Sequence, residues 1–454
     1  MDQDLETRAR GVDALIARAR ALPTVQRIRA RQAKTVAENE RRWAAGALEF
    51  IDTPGRLSPL VPMIIDHAQG CRIHDLDGNS FIDLHLGFWT GILGHSPEVV
   101  VEAVRREIGR GTNVGVGHDL EIELCELLVE HIACADIACL AVSGTSALMH
   151  ALKLARASTG KRKVAKFGNA FHGHDNDLLS DLPEFKLGLP GSDSTLVLPP
   201  GPEAFELVRA HASTLAAIVV EPAPPLRDPR PFYDLAFYRE LRALTSELGI
   251  VLVFDEVLRG FRSRFGATLD AEGIVPDLAC FGKIIGGGMG VAAVVGKRAI
   301  MQSGRTTGNP MRDGIDRVPL MGTYAGNRIA CAAGLAQLHY IRDHQAEIYP
   351  YMRDKSQWLG AQINAHAAKH HVPLTTAVFD GGLVMIKPVH PPGPSPMHPV
   401  VLLQAYLRDS GCYFMGGPIQ ISPAHTSSDV EEISGAFEQA MANIVRDTRD
   451  TQET

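Results

Sequence analysis

Lysine and carboxylate side chains that could do chemistry stand at the ends of short apolar runs. Lys283 follows the run Leu278–Phe281 and precedes three glycines, 286–288. Lysine is rarely interior without a task, and a desolvated lysine has a lowered pKa and is a competent nucleophile toward a carbonyl. Asp255 follows the run Ile250–Phe254. A carboxylate at that point either faces a ligand or caps the next turn, and the residue types leave both interpretations open.

Two further segments have small, aromatic or imidazole side chains after apolar runs. Ser143, Gly144 and Thr145 open a helical stretch, where free backbone N–H groups and hydroxyls can hold a phosphate, although Ser and Thr are also ordinary helix caps. Phe171, His172, His174 and Asp175 follow the run Val164–Phe167. Metal binding by these histidines and this aspartate is not favoured, because nothing nearby supplies the remaining ligands, and no metal is expected.

The glycines around Lys283 do not form a known nucleotide-binding motif. A P-loop needs a glycine five positions before Gly282 and a Ser or Thr after the lysine, whereas Asp277 and Ile284 occupy those positions. No GxGxxG follows the early strands. A phosphate cradle, an aromatic ring, a strand-end aspartate and an amine together match pyridoxal 5'-phosphate instead: the lysine holds the aldehyde as a Schiff base, and the aspartate keeps the pyridine nitrogen protonated.

Alternating helices and apolar runs must position these side chains. Strands separated by helix-length segments predict an α/β fold with a mostly parallel sheet covered by helices, in which ligands lie beyond the carboxyl ends of the strands. The predicted strands are Ile137–Val142, Val164–Phe167, Ala216–Val220, Ile250–Phe254, Leu278–Phe281 and Val291–Val295. Predicted helices include Val99–Ile108, Leu120–His131, Ala147–Ala157, Ile329–Arg342, Tyr351–His366 and Asp429–Arg446.

Three segments are expected along the chain. Residues 1–95 are predicted to form an N-terminal helical arm and a β-hairpin over 72–83, whose turn is Asp77-Gly78-Asn79. Residues 96–330 are predicted to form the large cofactor-binding domain, and 331–454 a smaller α+β domain.

Composition excludes several classes of function. The 454 residues are 45% hydrophobic and 21% charged with a formal net charge of -7, which favours a globular protein and argues against nucleic acid as a partner. No apolar run approaches the roughly 18–20 residues of a membrane span. The seven cysteines are scattered without a CxxC pair, and no signal peptide opens the chain, so a cytoplasmic protein without disulfides is expected.

The order of the motifs resembles that of the class III aminotransferases, which have the type I fold of pyridoxal phosphate enzymes. The similarity extends from about residue 54 to the end, and is greatest to the glutamate-1-semialdehyde 2,1-aminomutase branch. The matching motifs are Val142-Ser-Gly-Thr145, Phe171-His-Gly173, Val220-Glu-Pro222, Phe254-Asp-Glu-Val257, Gly260-Phe-Arg262, Phe281-Gly-Lys-Ile-Ile-Gly-Gly-Gly288, Gly322-Thr323 and Gly326-Asn327.

The resemblance implies a role for each matching residue. Lys283 would be the Schiff-base lysine and Asp255 the partner of the pyridine nitrogen, while Phe171 and Val257 would cover the two ring faces. Thr323 would reach the phosphate of a neighbouring subunit, which implies a homodimer with shared active sites. The remaining cofactor-binding candidates are Ser143, Gly144, Thr145, His172 and Glu221, and the substrate candidates are Arg56 and Trp89.

The expected reaction is transfer of an amino group between a small-molecule amino donor and a ketone or aldehyde acceptor. An aminomutase, or an ammonia-lyase acting on an amino alcohol or aminophosphonate, is the alternative, because neither needs a new catalytic residue. Val61 stands where the aminomutase branch has a substrate-binding arginine, and Ser146 stands where the motif usually has glutamate. These departures disfavour true glutamate-1-semialdehyde aminomutase activity. A non-enzymatic ligand sensor is the third hypothesis, although no DNA-binding module is evident.

Overall fold

The computed structural model describes residues 14–44, 62–179, 181, 193–223, 233–389 and 399–449. Contacts divide the chain into two compact units, Met1–Pro97 with Ala346–Thr454, and Glu98–Gln345. The N-terminal and C-terminal segments therefore share one unit, whereas the sequence analysis treats them separately. No helix in the described ranges is both long and apolar enough to cross a membrane.

A seven-stranded sheet forms the centre of the unit 98–345. Its strands are β1 (Ile137–Ala141), β2 (Lys163–Phe167), β3 (Thr195–Leu198), β4 (Leu215–Val220), β5 (Val251–Asp255), β6 (Leu278–Phe281) and β7 (Ala292–Gly296). The order across the sheet is β1-β7-β6-β5-β4-β2-β3. Strand β7 runs antiparallel to β1 and β6, and the other pairs are parallel. The predicted mostly parallel α/β sheet is confirmed, and β3 is a strand that the sequence analysis missed.

Helices connect the strands of this unit. They are α1 (Glu98–Ile108), α2 (Asp119–His131), α3 (Gly144–Thr159), α4 (Asn176–Leu179), α5 (Glu203–His211), α6 (Leu235–Leu248), α7 (Arg298–Met301), α8 (Pro310–Asp316) and α9 (Arg328–His370). Helix α3 packs on the sheet, since Leu148 and Ala151 share a buried cluster with Val253 and Val294. The two helices that the sequence predicts here are the two segments of α9, which a kink at the non-helical residue His344 separates.

The other unit combines two small sheets with helices. Strands Ile65–Gln69, Arg72–Asp75, Ser80–Asp83 and Cys412–Tyr413 form one sheet, and Leu374–Phe379, Leu383–Pro388 and Pro418–Gln420 form the second. The hairpin expected at 72–83 is present as an antiparallel pair. The helices are Pro23–Arg31, Ala33–Ala44, Leu86–Trp89, Pro399–Asp409 and Ser427–Arg449, besides the continuation of α9. Their apolar faces meet in one buried cluster that includes Ile28, Leu403 and Phe437.

Candidate active site

Two neighbouring parallel strands deliver the central lysine and aspartate to one edge of the sheet. Asp255 is the last residue of β5, and Lys283 comes two residues after β6 ends. The strands pair in parallel, with Asp255 opposite Cys280. Glu221 follows β4, the next parallel strand along the sheet. The carboxyl ends of parallel strands meet at the same edge, where open α/β sheets bind their ligands.

Lys283 has a strained backbone and a weakened basicity. It begins the 3₁₀ turn Lys283–Gly286 with φ of +46°, a left-handed conformation that residues other than glycine adopt at a cost of about 1–3 kcal/mol. Burial lowers the pKa of its amine to about 8, although the negative charge of Asp255 acts in the opposite direction. A larger fraction of this amine is therefore uncharged near neutral pH than of an exposed lysine.

His172 and Asp255 form a buried pair. The Nδ1 atom of His172 lies 2.7 Å from Oδ2 of Asp255, and the other carboxylate oxygen accepts a hydrogen bond of 3.0 Å from the backbone N–H of Val257. Both side chains are buried. Within the described residues, Nε2 of His172 has no hydrogen-bond partner. The carboxylate is thus oriented by two contacts in a region that a charged group enters only when it is paired.

The start of helix α3 provides a cradle of small residues. Ser143 caps the helix, since its Oγ accepts from the N–H of Ser146 and the Oγ of Ser146 accepts from the N–H of Ser143. A Cβ at Gly144 would stand 2.7 Å from Cγ1 of Val257, so that no larger residue fits there. The first N–H groups of a helix have no partner within it and suit an anion. The capping contacts between Ser143 and Ser146 therefore leave the N–H groups of Gly144 and Thr145 available for a phosphate.

The segment after β2 comes against this cradle. The backbone N–H of His174 donates to Oγ1 of Thr145 at 3.2 Å. Gly173 has φ of +84°, and a Cβ there would stand 2.6 Å from the same Oγ1. Phe171 is 38% exposed, and its ring stands nearly perpendicular to that of His174, with centroids 5.5 Å apart. The segment that contacts the α3 N-terminus therefore carries a partly exposed aromatic ring.

Glu221, a candidate from the sequence analysis, is paired with Arg259, which the sequence analysis missed. Oε2 of Glu221 lies 3.8 Å from Nε of Arg259, with both side chains largely buried. Burial raises the pKa of the Glu221 carboxyl, while the cations Arg259 and Lys283 oppose that shift. Tyr238 donates its hydroxyl to the backbone carbonyl of Glu221 at 2.9 Å. The position of Arg259 within the Asp255–Arg262 motif was the available signal.

Three predicted site residues, Thr323, Trp89 and Arg56, are described separately from this group. Thr323 lies in an exposed loop, where its carbonyl accepts a 3.0 Å hydrogen bond from Nδ2 of Asn113. Trp89 belongs to the other unit, in a left-handed turn, and donates from Nε1 to the carbonyl of Pro418 at 2.8 Å. Arg56 and Val61 lie outside the described residues. In the ranges described, no three His, Cys, Asp or Glu side chains form a group that could hold a metal ion.

Comparison with known proteins identifies the family. Residues 55–378 match the model of the family described as "Aminotransferase class-III". The glutamate-1-semialdehyde 2,1-aminomutase of Syntrophus aciditrophicus is 40% identical over 63% of this chain and 67% of its own length. Glutamate-1-semialdehyde 2,1-aminomutase 2 of Staphylococcus haemolyticus is 31% identical over 88% and 94%.

Solved structures show the same fold. An omega-transaminase from Sphaerobacter thermophilus superposes with a TM-score of 0.76 at 28% identity, over 85% of this chain and 92% of that one. A structure described as "Transaminase with PLP bound" has a TM-score of 0.82 at 24% identity, over 90% and 99%. The predicted type I fold and the predicted family are both confirmed. The chain belongs to the class III aminotransferase family of pyridoxal phosphate-dependent enzymes.

Proposed function

We propose that this protein transfers an amino group between a small-molecule amino donor and a ketone or aldehyde acceptor, with pyridoxal 5'-phosphate bound at Lys283. The observation that carries the proposal is the meeting of an amine of lowered pKa and a buried carboxylate at the ends of two adjacent parallel strands. No nucleic acid or membrane takes part.

The residues present fit the cofactor on grounds independent of the family. The cradle at Gly144 has no room for a Cβ, and Nε2 of His172 is a buried polar atom without a partner in the described chain. Phe171 carries a partly exposed aromatic ring. The N–H groups of Gly144 and Thr145, with the hydroxyls of Ser143 and Thr145, would hold the phosphate, while Phe171 and Val257 would cover the two faces of the ring.

The chain's own residues supply binding, orientation and proton transfer. Pyridoxal phosphate supplies an aldehyde that condenses with amines and a pyridine ring that withdraws electrons. Asp255 would hold a proton on the pyridine nitrogen, oriented by His172 at 2.7 Å. The Nζ atom of Lys283 would bind the aldehyde carbon and, once released from it, take the proton from the Cα of the donor. Glu221 would support this arrangement through Arg259.

The second candidate is an aminomutase, and the named relatives favour it, since the two most similar ones cited above are glutamate-1-semialdehyde 2,1-aminomutases. Against it stands Val61, at the position where the branch has its substrate-binding arginine. An ammonia-lyase uses the same residues. Arg56 and Trp89 remain the proposed substrate contacts, and the reaction must be decided by assay.

We further propose that the enzyme is a homodimer with shared active sites. Large apolar side chains around Thr323 are exposed, with fractions of 75% for Met321 and 61% for Tyr324. Met311 and Ile315 on α8 are similarly exposed, at 79% and 83%. Exposed apolar surface of this kind marks an interaction site. A second copy of the chain that covers this surface would bring its Thr323 to the phosphate bound by the first copy.

We also propose that the enzyme is cytoplasmic, because its seven cysteines are free thiols.

Borohydride labelling tests the assignment of Lys283. Reduction of the loaded protein should attach the cofactor permanently to Lys283, as read by peptide mass mapping, and Lys283→Ala should remove the label. Lys297, which is half exposed and paired with Asp277, provides the matched control through Lys297→Ala. A label on another lysine of the wild-type chain would overturn the assignment.

Assay of the product then separates the candidate reactions. A panel of amino donors is added to the loaded enzyme while absorbance and free ammonia are followed. Conversion of the cofactor to its amine form without free ammonia marks an aminotransferase. Ammonia released without an acceptor marks a lyase, and an isomerised amino compound marks an aminomutase.

A further inference from the structure

A fully buried lysine outside the reacting groups lies beneath the segment that carries Phe171 and His172. Lys166 is on β2, between β3 and β4, and its side chain has no solvent exposure. Burying an ammonium group costs several kcal/mol unless its donors are paired. Burial of the Lys166 ammonium group is therefore unfavourable by itself, and the contacts of this group must offset the free energy lost with its hydration.

All three ammonium donors of Lys166 have acceptors on the chain that follows β2. Nζ donates to the carbonyl of Ala170 at 2.7 Å and to the carbonyl of Leu178 at 3.0 Å. Its third partner is the carboxylate of Asp181, with which it forms an ion pair. An ammonium group has three N–H donors, so this one is saturated. The acceptors lie at both ends of the segment 168–181: Ala170 is near its start, and Leu178 and Asp181 are near its end.

Asp181 extends the same contact to the start of this segment. Its second oxygen accepts a 2.9 Å hydrogen bond from the backbone N–H of Asn169. Asn169 has φ of +63°, a left-handed conformation that asparagine adopts more readily than most other residues. The carboxylate thus holds the backbone of this turn immediately before the Phe171 segment.

The groups fixed in this way are adjacent to the candidate cofactor contacts. Ala170, whose carbonyl Lys166 binds, directly precedes Phe171, so the peptide plane before the exposed ring is held in one orientation. Two residues later His172 meets Asp255, and the N–H of His174 meets Thr145. One buried ammonium group therefore supports the segment that links the α3 cradle to the β5 carboxylate.

We propose that the Lys166–Asp181 pair is a positioning device for the cofactor, which sets the Phe171 ring and the His172 imidazole against it. The proposal rests on the proposed function, since it needs a cofactor at Lys283. A purely structural pair predicts something different: replacing a buried ion pair by apolar side chains of similar volume is often neutral for stability, and binding would then be unchanged too.

The decisive variant replaces both members, as Lys166→Met with Asp181→Leu. Both charges are then removed together, so no unpaired charge stays in the interior, but the carbonyls of Ala170 and Leu178 and the N–H of Asn169 lose their partners. We expect a modestly lowered urea midpoint, together with a dissociation constant of the folded protein for pyridoxal 5'-phosphate that rises roughly tenfold to a hundredfold. That range corresponds to the loss of one charge-assisted hydrogen bond. The constant is measured by absorbance titration of the apoprotein, so it does not depend on turnover.

Lys163→Met is the matched control, since Lys163 is on the same strand but only half buried. It should bind the cofactor like the wild type. Asp181→Asn keeps the size of the side chain but leaves the buried Lys166 ammonium without its counter-charge, so it should lower the urea midpoint as well as weaken cofactor binding. If the double variant Lys166→Met with Asp181→Leu does not fold, Lys166→Gln with Asp181→Asn decides the question, since it removes both charges and keeps a polar group at each position.

Two results would overturn the positioning role: a double variant that folds and binds the cofactor as tightly as the wild type, or an Asp181→Asn protein with unchanged affinity. Failure of the proposed function looks different, because the wild-type chain itself would then show no cofactor absorbance and no borohydride label at Lys283. That result would overturn both proposals together.

Discussion

Asp255 is the residue whose charge matters most to the proposed chemistry. Its carboxylate is buried, meets His172 at 2.7 Å, and would face the pyridine nitrogen. We expect Asp255→Asn to retain the cofactor and to lose about tenfold to a hundredfold in kcat, since one charge-assisted hydrogen bond of roughly 1.5–3 kcal/mol disappears. Steady-state kinetics measure this loss.

The control for that variant is Asp343→Asn, because Asp343 is exposed and its Oδ1 accepts a 3.0 Å hydrogen bond from Nε of Arg342. It should leave kcat unchanged. Near-normal turnover in Asp255→Asn would mean that this carboxylate does not serve the ring.

The amine of Lys283 predicts a pH dependence for cofactor capture. Its pKa is lowered from 10.5 to about 8, mainly by burial, and only the uncharged amine attacks an aldehyde. The rate at which apoprotein captures pyridoxal phosphate should therefore rise with pH, with a midpoint near 8, and then level off. Stopped-flow absorbance gives the rate at each pH. A midpoint near the ordinary lysine value would show that the amine is not desolvated.

At the scale of elements, helix α9 holds the Lys283 turn by direct backbone contact. A Cβ at Gly334 would stand 2.2 Å from the carbonyl oxygen of Ile285, and one at Gly287 would stand 2.5 Å from the carbonyl oxygen of Ala333. Backbone this close cannot yield to a side chain. The helix therefore fixes the strained turn from behind.

We expect Gly334→Ala to lower the free energy of unfolding by about 1–3 kcal/mol through overpacking, and to weaken cofactor binding by displacing the Lys283 turn. Urea unfolding and absorbance titration measure the two effects. Gly314→Ala, on α8, has open space around the added Cβ and is the control. If Gly334→Ala unfolds like the wild type and binds the cofactor equally well, the helix does not position the turn.

At the scale of the whole molecule, shared active sites predict complementation. Lys283→Ala removes the amine from its own site, and Thr323→Asp places a negative charge where the neighbour's phosphate would bind. A mixed dimer then contains one doubly damaged site and one intact site. Two nearly inactive parents should therefore recover activity on mixing. With random exchange of an equal mixture, half of the dimers are mixed and each has one intact site of two, so the activity should reach about a quarter of the wild-type value.

Sedimentation and subunit exchange provide the control for that experiment. The parents must exchange, as shown by a mass-tagged chain, and Lys283→Ala mixed with itself must stay inactive. A fully active monomer would contradict the shared site, and so would proven exchange without recovered activity.

Much of the site was predictable because it depends on short-range sequence signals. The apolar runs before Asp255 and Lys283 are long enough for buried strands, and glycines after Lys283 mark a tight turn. The carboxyl ends of parallel strands lie at the same edge of a sheet. The alternation of strands and helices therefore already predicts that Asp255 and Lys283 lie at one edge. The cap at Ser143 follows from residue type in the same way.

Only the tertiary structure decided which side chains pair across the fold. The His172–Asp255 contact joins residues 83 positions apart, and Lys166 reads in the sequence as a strand lysine until its three acceptors are seen. Strand β3 was missed because it lies at the edge of the sheet, where only one of its four side chains is fully buried, whereas all four are buried in β6, which has the same length. Pro350 lies within α9, six residues after the kink at His344. Local propensity fixes where elements begin, whereas burial and pairing over long range determine what each side chain meets.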